Sequence, residues 1–340
     1  MEIFYIGNFP PPYGGATIKN DIIFKELSKY LKIEKFNTSV FKHQKYNMFN
    51  YLKLLLFLLR NKNNKGIICI HNYSLFKLTK IINILDKDML KNISVFINGG
   101  IFDEVISKMH QNIEIYKNYK NIYVELYKMK DNLNNLGLNN VNVIPNCRPK
   151  PPNRKFYAND KHDEIKCVFM SRICYEKGVN LIIEAAKLLN HNNIPYTIDF
   201  YGPIDKKFKD YFVKEISDNN NLRYLGIFKS EKENVYDLLK NYDVLLFPSI
   251  YEGEGFPGIL TEAKIAGIPI IASDFRDNSR IVKHMNEGII LSENNSEKLY
   301  ETISMLYMDK ELLYNMRYSS YLSGEKYFIE NYTKFILDRL

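Results

Sequence analysis

Residues 167–201 read CVFMSRICYEKGVNLIIEAAKLLNHNNIPYTIDFY, and the pattern of this segment indicates the class of fold. Two short runs of apolar and β-branched residues, 167–170 and 197–201, enclose a segment, 179–189, whose apolar residues recur with the period of a helix. A strand, a helix and a second strand in this order form a βαβ unit with parallel strands. The segment therefore predicts an α/β fold in which helices cover both faces of a mostly parallel sheet.

The same alternation continues on both sides of this unit. Further strands are predicted at residues 3–6, 66–70, 95–97, 122–124, 141–144, 222–225, 244–247, 268–272 and 288–291. Residues 145–152, PNCRPKPP, separate two series of strands, because their four prolines can continue neither a strand nor a helix. We therefore predict two doubly wound domains with loops at the carboxyl ends of their strands, and a ligand site in the cleft between them.

The charge is distributed unequally over a chain of globular composition, 340 residues of which 46% are hydrophobic. Residues 1–150 contain 22 basic and 11 acidic side chains, and residues 151–340 contain 25 and 28. The basic excess of the first half favours an anionic partner, either a nucleic acid or a membrane surface. An apolar patch at residues 51–65 is flanked by Lys53, Arg60, Lys62 and Lys65. This patch either rests on anionic headgroups or is a buried helix with a solvated basic end.

Targeting and cysteine patterns place the chain in a reducing compartment. The start, MEIFYIG, has neither a basic region nor a long apolar core, so we expect no secretory signal and a cytosolic protein. The longest apolar run, residues 54–59, is far shorter than the roughly 20 residues of a membrane span. The four cysteines show no CxxC pair or zinc spacing, and we predict buried, reduced thiols: Cys69, Cys147, Cys167 and Cys174.

Residues 251–262, YEGEGFPGILTE, are the most informative stretch for function. Three glycines and a proline let the backbone approach a ligand closely, and a helix that begins near Gly258 offers amide groups to an anion. If Glu254 lies in the loop and Glu262 about one turn into the helix, both carboxylates face one pocket and accept hydrogen bonds from hydroxyl groups. The alternative is a charged loop followed by a glutamate that the helix dipole favours.

Cations, glycines and a histidine follow other predicted strands. Arg172 and Lys177, in SRICYEKG, supply a planar fork of donors and a point charge, a pair suited to a diphosphate, although such pairs are more often solvated. The Gly14-Gly15 turn before the first helix fits a phosphate contact, but it lacks the GxGxxG spacing of a dehydrogenase. His71 and the Asn98-Gly99-Gly100 turn end two strands, where an acceptor would lie, although a lone histidine is more often structural.

With these segments in order, the chain resembles the retaining glycosyltransferases of family 4, which have the GT-B fold of two facing Rossmann-like domains. The resemblance runs from end to end and rests on PPYGGA at 11–16, VIPNC at 143–147, SRICYEKG at 171–178, FYGP at 200–203, YLG at 224–226, FPS at 247–249, the two-glutamate motif and AGIPIIASD at 266–274. EGFP at 254–257 and SDFRDNSRIV at 273–282 are similar to the branch that builds bacterial capsule or lipopolysaccharide chains.

The resemblance implies a nucleotide-sugar donor, with a UDP-sugar favoured, and transfer with retention of configuration. Arg172 and Lys177 would hold the diphosphate and, with Glu254 on the donor sugar, form the catalytic set. The donor would also be bound by Gly15, Gly202, Gly226, Ile227, Phe228, Ser249, Phe256, Pro257, Gly258, Ile259 and Glu262, the last of these on the ribose. His71, Asn98 and Gly99 would lie on the acceptor side. No metal or cofactor is expected, because the two cations supply the positive charge.

The resemblance also implies a division of labour along the chain. Residues 1–150 would bind the acceptor, residues 151–324 the donor, and residues 325–340 would form a helix that crosses back to the first domain. The expected partners are the nucleotide sugar, a lipid-linked glycan acceptor and the anionic cytoplasmic face of the membrane, and no nucleic acid. Alternatives are a non-catalytic basic binding protein of the same fold, and a sugar phosphorylase or epimerase.

Three features depart from the family pattern or lie outside it. Arg280 stands where the branch commonly has a glutamate, with Arg276 close by, and these cations either favour a more anionic substrate or face solvent. Asn98 stands where many members have a histidine, so the acceptor proton is expected to pass to the donor phosphate. Asp86-Lys87-Asp88 has a D-x-D spacing used for metals, but we predict a surface connection.

Overall fold

The computed structural model describes residues 2–11, 14–39, 48–108, 113–157, 163–229 and 233–340. The chain divides into two compact units. The first unit comprises Met1–Pro149, Gly253–Pro257 and Phe328–Leu340, and the second comprises Lys150–Glu252 and Gly258–Tyr327. Each unit contains one six-stranded sheet, so the prediction of two α/β domains of doubly wound type is confirmed.

The sheet of the first unit has the order β2-β1-β3-β4-β5-β6, and its paired strands are all parallel. Its strands are β1 (Glu2–Gly7), β2 (Lys32–Asn37), β3 (Lys65–Cys69), β4 (Ile93–Phe96), β5 (Asn121–Val124) and β6 (Val141–Val143). The sequence reading missed β2, KIEKFN. This strand lies at the sheet edge and is only partly buried, so it carries charged residues where the central strands are apolar.

Helices cover the sheet of the first unit. They are α1 (Gly15–Leu27), α2 (Met48–Arg60), α3 (Asn72–Asp86), α4 (Phe102–Lys108), α5 (Ile113–Lys117), α6 (Tyr127–Asn135) and α14 (Glu330–Leu337). The C-terminal α14 packs on α1, where the Thr333 hydroxyl donates to the Glu26 carboxylate at 2.9 Å. Ile329 and Ile336 enter the same core cluster as Ile23, so the end of the chain completes the core of this unit.

The sheet of the second unit has the order β12-β11-β10-β7-β8-β9, also parallel throughout its paired strands. Its strands are β7 (Ile165–Met170), β8 (Tyr196–Tyr201), β9 (Leu222–Tyr224), β10 (Val244–Phe247), β11 (Ile270–Ser273) and β12 (Gly288–Leu291). Read from β9, this is the 3-2-1-4-5-6 order of dinucleotide-binding folds. The strand order therefore reverses between β7 and β10, the point at which such sheets bind ligands.

The helices of the second unit enclose a core that is apolar and fully buried in its centre. They are α7 (Val179–His191), α8 (Lys209–Ser217), α9 (Val235–Leu239), α10 (Gly258–Ala266), α11 (Asn278–Ile281), α12 (Ser296–Met308) and α13 (Lys310–Gly324). A buried arginine, Arg317 on α13, donates to the Tyr242 carbonyl at 2.7 Å and lies 3.7 Å from the Asp243 carboxylate. Asp243 in turn accepts from the Lys166 amide at 2.8 Å, which fixes α13 to the start of β10 and β7.

Candidate active site

The loops after β7 and β10 lie side by side at the reversal point of the second sheet, and they hold the two predicted cations. Arg172 is exposed in the β7 loop, whereas Lys177 is largely buried at the end of a 3₁₀ turn, Tyr175–Lys177. The Arg172 guanidinium lies 5.2 Å from the ring centre of Tyr251, and the Lys177 ammonium lies 4.9 Å from it. The structure therefore brings both cations to one aromatic ring in the β10 loop.

Backbone contacts hold these two loops together. The Ile250 amide donates to the Glu176 carbonyl at 2.9 Å, and the buried Ser249 hydroxyl donates to the same carbonyl at 3.4 Å. Gly178 has a φ of +73°, and a Cβ there would meet the Pro248 carbonyl oxygen at 2.3 Å. Only glycine permits this approach, so the sequence of the β7 loop dictates how closely Lys177 is held to the β10 loop.

The predicted nucleotide-site glycines lie in two neighbouring loops, Gly202 after β8 and Gly226 after β9. The Gly202 amide donates to the Gly226 carbonyl at 2.8 Å, and the Tyr224 hydroxyl donates to the Gly202 carbonyl at 3.0 Å. A Cβ at Gly202 would lie 1.9 Å from the Ser171 carbonyl oxygen, so the loop after β8 also abuts the start of the β7 loop. Ile227 is exposed and Phe228 is half-buried, so both offer apolar surface next to these glycines.

The helix predicted near Gly258 is α10, and Glu262 lies half-buried in its second turn. Ile259 is buried on the same helix. Two residues beyond Glu262, the fully buried Lys264 pairs with Glu287 and donates to the Ser323 hydroxyl at 3.1 Å. Burial lowers the pKa of Lys264 to about 8, although Glu287 opposes the shift. The pair anchors the helix that carries Glu262.

The first unit contains three further predicted donor residues, Glu254, Phe256 and Pro257, in the loop Gly253–Pro257. Within this unit the Asn146 side chain donates to the Phe256 carbonyl at 2.8 Å. A Cβ at Gly100 would lie 1.8 Å from the Glu254 carbonyl oxygen, so the Gly99-Gly100 turn passes directly along the loop backbone.

The carboxyl edge of the first sheet holds the predicted acceptor residues and Gly15. His71 is exposed and its ring stacks on Tyr73 at 5.8 Å, while Asn98 is buried and accepts from the Cys69 thiol at 3.5 Å. His71 and Asn98 form a parallel bridge, which brings the ends of two strands together. Gly15 begins α1, where a Cβ would meet no atom within 4 Å. This glycine leaves open space at the helix start.

Sequence reasoning missed a buried ion pair at the same edge. The Lys19 ammonium on α1 lies 3.0 Å from the Glu125 carboxylate and donates to the Ile97 carbonyl at 3.0 Å. The available signal was a lysine on the buried face of an amphipathic helix, between Thr17 and Ile23. Tyr251 was also missed: it stands in the quoted motif, but no spacing rule shows that its ring contacts two cations of another loop.

Several secondary predictions have outcomes of their own. The four cysteines are buried and form no disulfide, as predicted. Asp86 caps a 3₁₀ turn by accepting from the Asp88 amide at 2.9 Å, and Lys62 and Lys91 pair with Asp86 and Asp88, which agrees with a surface connection.

Within the described ranges, no three His, Cys, Asp or Glu side chains are grouped so that they could hold a metal ion. No helix in these ranges is long and apolar enough to cross a bilayer.

Comparison with solved structures identifies the class of fold. HepE of Anabaena, in complex with UDP, superposes with a TM-score of 0.74 over 99% of each chain at 14% sequence identity. The two parallel six-stranded α/β sheets are therefore those of GT-B glycosyltransferases, and the predicted fold class is confirmed.

The family follows from the sequence profile of the second unit. The profile described as "Glycosyl transferases group 1" matches residues 152–322, half of the chain, so this protein belongs to that family and is a glycosyltransferase.

Two curated relatives are similar at low identity. One is the N,N'-diacetylbacillosaminyl-diphospho-undecaprenol alpha-1,3-N-acetylgalactosaminyltransferase of Campylobacter jejuni, 24% identical over 68% of this chain and 60% of the relative. Another is the UDP-Gal:alpha-D-GlcNAc-diphosphoundecaprenol alpha-1,3-galactosyltransferase of Escherichia coli, 24% identical over 45% of this chain and 39% of the relative. In both relatives the matched region spans less than two thirds of the protein's length.

Proposed function

We propose that this glycosyltransferase moves a hexose or N-acetylhexosamine from a UDP-sugar to a hydroxyl group of a lipid-linked glycan, with retention of configuration, in the biosynthesis of a bacterial surface polysaccharide such as capsule, O-antigen or lipopolysaccharide. The observation that carries the proposal is the pair of cations, Arg172 and Lys177, on the Tyr251 ring at the reversal point of the second sheet. A diphosphate leaving group needs such a fixed positive charge.

In the proposed step, the bond between the anomeric carbon and the diphosphate oxygen breaks, and an acceptor hydroxyl oxygen bonds to the same face of that carbon. The negative charge that develops on the diphosphate is stabilised by Arg172 and Lys177. The acceptor proton passes to the departing phosphate, so no side chain has to act as base. This route suits a first unit in which Asn98 stands at the strand end expected to face the acceptor.

The donor roles follow the predicted residues. Residues 151–324 bind the donor: Glu262 accepts from the ribose hydroxyls, and Gly202 and the turn Gly226–Phe228 line the nucleotide site. Ser249 is a further donor contact. Glu254 accepts from the donor sugar, and the backbone of Phe256, Pro257, Gly258 and Ile259 holds its sugar and phosphate. Gly15 approaches the diphosphate, and the open space around its Cα supports this role.

The acceptor roles are assigned to residues 1–150, with residues 325–340 as the closing helix, and His71, Asn98 and Gly99 at the acceptor. Support for a lipid-linked acceptor comes from the names of the Campylobacter jejuni and Escherichia coli relatives, which act on sugars joined to diphospho-undecaprenol. Such an acceptor is held in a membrane. We therefore place the enzyme on the cytoplasmic face of that membrane, as a peripheral protein.

The first unit presents an apolar helix face that suits this location. On α2 the exposed side chains Phe49, Leu52, Leu56 and Leu59 recur at three- and four-residue intervals, which is one stripe of a helix. The opposite stripe is buried, with the Phe57 ring 5.9 Å from Phe4 and 5.1 Å from Phe36. The helix is thus apolar on two faces, and the inner face alone accounts for its packing on the sheet.

Charge around the outer stripe of α2 favours an anionic bilayer as its partner. No Asp or Glu occurs between Glu34 and Asp86, whereas nine Lys or Arg do. Lys53 lies on the margin of the stripe, with its ammonium 4.4 Å from the Phe49 ring. Helices that lie in a membrane interface insert apolar side chains into the headgroup region and place cations beside them. Each basic residue near the surface contributes about 1 kcal/mol of binding free energy to an anionic membrane.

Donor binding is tested first, by thermal-shift screening of UDP- and GDP-sugars. A ligand at about 100 times its dissociation constant adds about 2.7 kcal/mol to stability, so a UDP-sugar should raise the melting temperature clearly. Glu262→Ala should abolish this shift, whereas Glu301→Ala on α12, a matched change on an exposed helix, should keep it. If only GDP-sugars raise the melting temperature, the donor is a GDP-sugar and not a UDP-sugar. If no nucleotide sugar raises it, the donor assignment is refuted.

Transfer is then measured with the donor found and a synthetic prenyl-diphosphate sugar. We expect a lengthened lipid-linked glycan whose new bond has the configuration of the donor. Free sugar phosphate as the product would indicate a phosphorylase, and an inverted nucleotide sugar would indicate an epimerase. Either product would overturn the proposed reaction while leaving the family assignment intact.

The membrane face is tested by co-sedimentation with vesicles of phosphatidylglycerol and phosphatidylcholine, and of phosphatidylcholine alone. We expect binding to the anionic vesicles that weakens with salt and is lost in Leu52→Glu/Leu56→Glu. Val213→Glu, the same kind of change at an exposed apolar residue on α8, is the control and should bind as wild type. Equal sedimentation of all three proteins, or a stable dimer that the double substitution dissociates, would contradict the bilayer assignment.

A further inference from the structure

The backbone of Arg276 has an unusual conformation at the end of β11. The Asn278 amide donates to the Phe275 carbonyl at 3.1 Å, which closes a turn with Arg276 and Asp277 as its central residues. Arg276 has a φ of +54°, whereas Asp277 has a φ of −105° and a ψ of 16°. Among the hydrogen-bonded turns only type II′ has positive φ at its first central residue alone, and glycine is the usual residue there.

An arginine in this position costs stability. Positive φ places the Cβ of an L-residue against its own backbone, at a cost of about 1–2 kcal/mol. Such conformations persist only where the surroundings hold them, and they are concentrated at functional sites. The contacts of the Arg276 side chain show what glycine could not supply at this position.

The Arg276 side chain contacts the segment that leads into the two-glutamate motif. Its guanidinium donates to the Glu252 carbonyl at 2.5 Å. That peptide lies one residue after Tyr251, whose ring contacts Arg172 and Lys177, and two residues before Glu254.

The turn that carries Arg276 is itself fixed at both ends. The Ser273 hydroxyl donates to the Ser249 carbonyl at 2.5 Å, and the buried Asn278 side chain donates to the Ser273 carbonyl at 3.1 Å. The ends of β10 and β11 are thus joined before the guanidinium reaches across. A rigid base of this kind lets one side chain set the position of a neighbouring loop.

We propose that Arg276 is a positioning residue for sugar transfer: it holds the Glu252 carbonyl and thereby sets the backbone that carries Tyr251, whose ring contacts Arg172 and Lys177. The inference rests on the proposed function, because it takes these two cations as the groups that stabilise the leaving diphosphate.

The test compares Arg276→Gly with Met285→Gly. Met285 has a φ of +57° in the same unit, so its replacement relieves the same backbone strain without removing a guanidinium. Both variants should be as stable as the wild type or more so. We expect Arg276→Gly to lower kcat about 10- to 100-fold with little change in donor affinity, because a small displacement of a reacting group has this effect. Met285→Gly should keep wild-type kcat.

Chemical rescue separates positioning from general damage. Added guanidinium ion should restore part of the kcat of Arg276→Gly and leave wild type and Met285→Gly unchanged. A wild-type kcat in Arg276→Gly would overturn the proposal, and so would a loss of kcat that follows a loss of stability and resists rescue.

Hydrogen exchange gives a readout that does not depend on turnover. In Arg276→Gly the amides of residues 252–255 should exchange faster, and those of β10 and β11 should not. If wild type transfers no sugar, the proposed function fails, while faster exchange confined to residues 252–255 still upholds the contact. Unchanged exchange would refute the holding role whatever the activity.

Discussion

Both units have a six-stranded parallel sheet, but the carboxyl edges of the two sheets differ in their chemistry. At the edge of the second sheet, Arg172 and Lys177 flank an aromatic ring, and Arg276 holds the same loop. At the edge of the first sheet, the buried cation Lys19 is neutralised by Glu125 inside the protein. The cations that suit a diphosphate are therefore in the half of the chain that has more acidic than basic side chains. In the basic half, the buried charge of Lys19 is paired with a carboxylate of the same unit.

If the proposed function is correct, the net charge of a region does not locate the diphosphate site. The basic side chains of residues 1–150 are spread over this half of the chain, with only Lys53 and Arg60 on α2, whereas an anion site needs only a few cations held at one strand edge. Lys19 and Lys177 are both largely buried lysines, yet the first pairs with the Glu125 carboxylate, whereas we propose that the second binds the diphosphate of the donor. Substitution of the two lysines should separate these roles.

The largest effect is expected for Lys19→Met. The change leaves the Glu125 carboxylate buried without its ammonium, so the free energy of unfolding of the first unit should fall by about 3–5 kcal/mol. Denaturant unfolding with hydrogen exchange of the first sheet measures this loss. Lys19→Met/Glu125→Leu, which removes both charges, should recover most of the stability. If the single substitution is as stable as wild type, Lys19 is not a structural lysine.

The opposite behaviour is expected for Lys177→Met. The new side chain can remain against the rings of Tyr251 and Phe247, so the fold should be retained. The variant lacks the ammonium that is proposed to stabilise the leaving diphosphate, so kcat should fall by about 100- to 1,000-fold. The control is Lys187→Met on the exposed face of α7. Reduced stability with normal turnover would reverse the roles assigned to the two lysines.

A smaller effect is expected for Tyr251→Leu. The ring contacts both cations, and a cation–π contact contributes about 0.5–2 kcal/mol, so its loss should lower kcat/KM about tenfold. Tyr251→Phe keeps the ring and should stay near wild type. If Tyr251→Phe is as impaired as Tyr251→Leu, the hydroxyl group and not the ring orders the cations.

The fold could be predicted because its signals are local. Central strands such as β7 and β10 are short apolar runs, and the prolines of residues 145–152 mark the break between the two series. The edge strand β2 was missed because four of its six residues have charged or amide side chains and none of the six is fully buried. Burial pattern therefore predicts the middle of a parallel sheet better than its edge.

The site was predictable only as a set of loops. The motifs correctly place Arg172 and Lys177 after β7 and Glu262 on α10, because strand ends and helix starts are readable. The Tyr251 ring, the Lys19–Glu125 pair and the Arg276 hydrogen bond join residues that are distant in sequence. Which side chains meet across neighbouring loops depends on strand order and on close approaches such as that of Gly178, which no spacing rule contains.

The smallest effect concerns a third buried lysine, Lys264, which lies on α10 and pairs with Glu287. Burial lowers its pKa from 10.5 to about 8, so above pH 8 the folded protein loses this proton while the unfolded chain still holds it. Stability contributed by this group therefore rises with pH between 8 and 10.5 and is lost as pH falls through 8. From pH 8 to pH 9 the gain over Lys264→Met should be about 1 kcal/mol, measured by denaturant unfolding of both proteins. A difference that stays constant over this range would mean that Lys264 keeps its proton in the folded protein as it does in the unfolded chain.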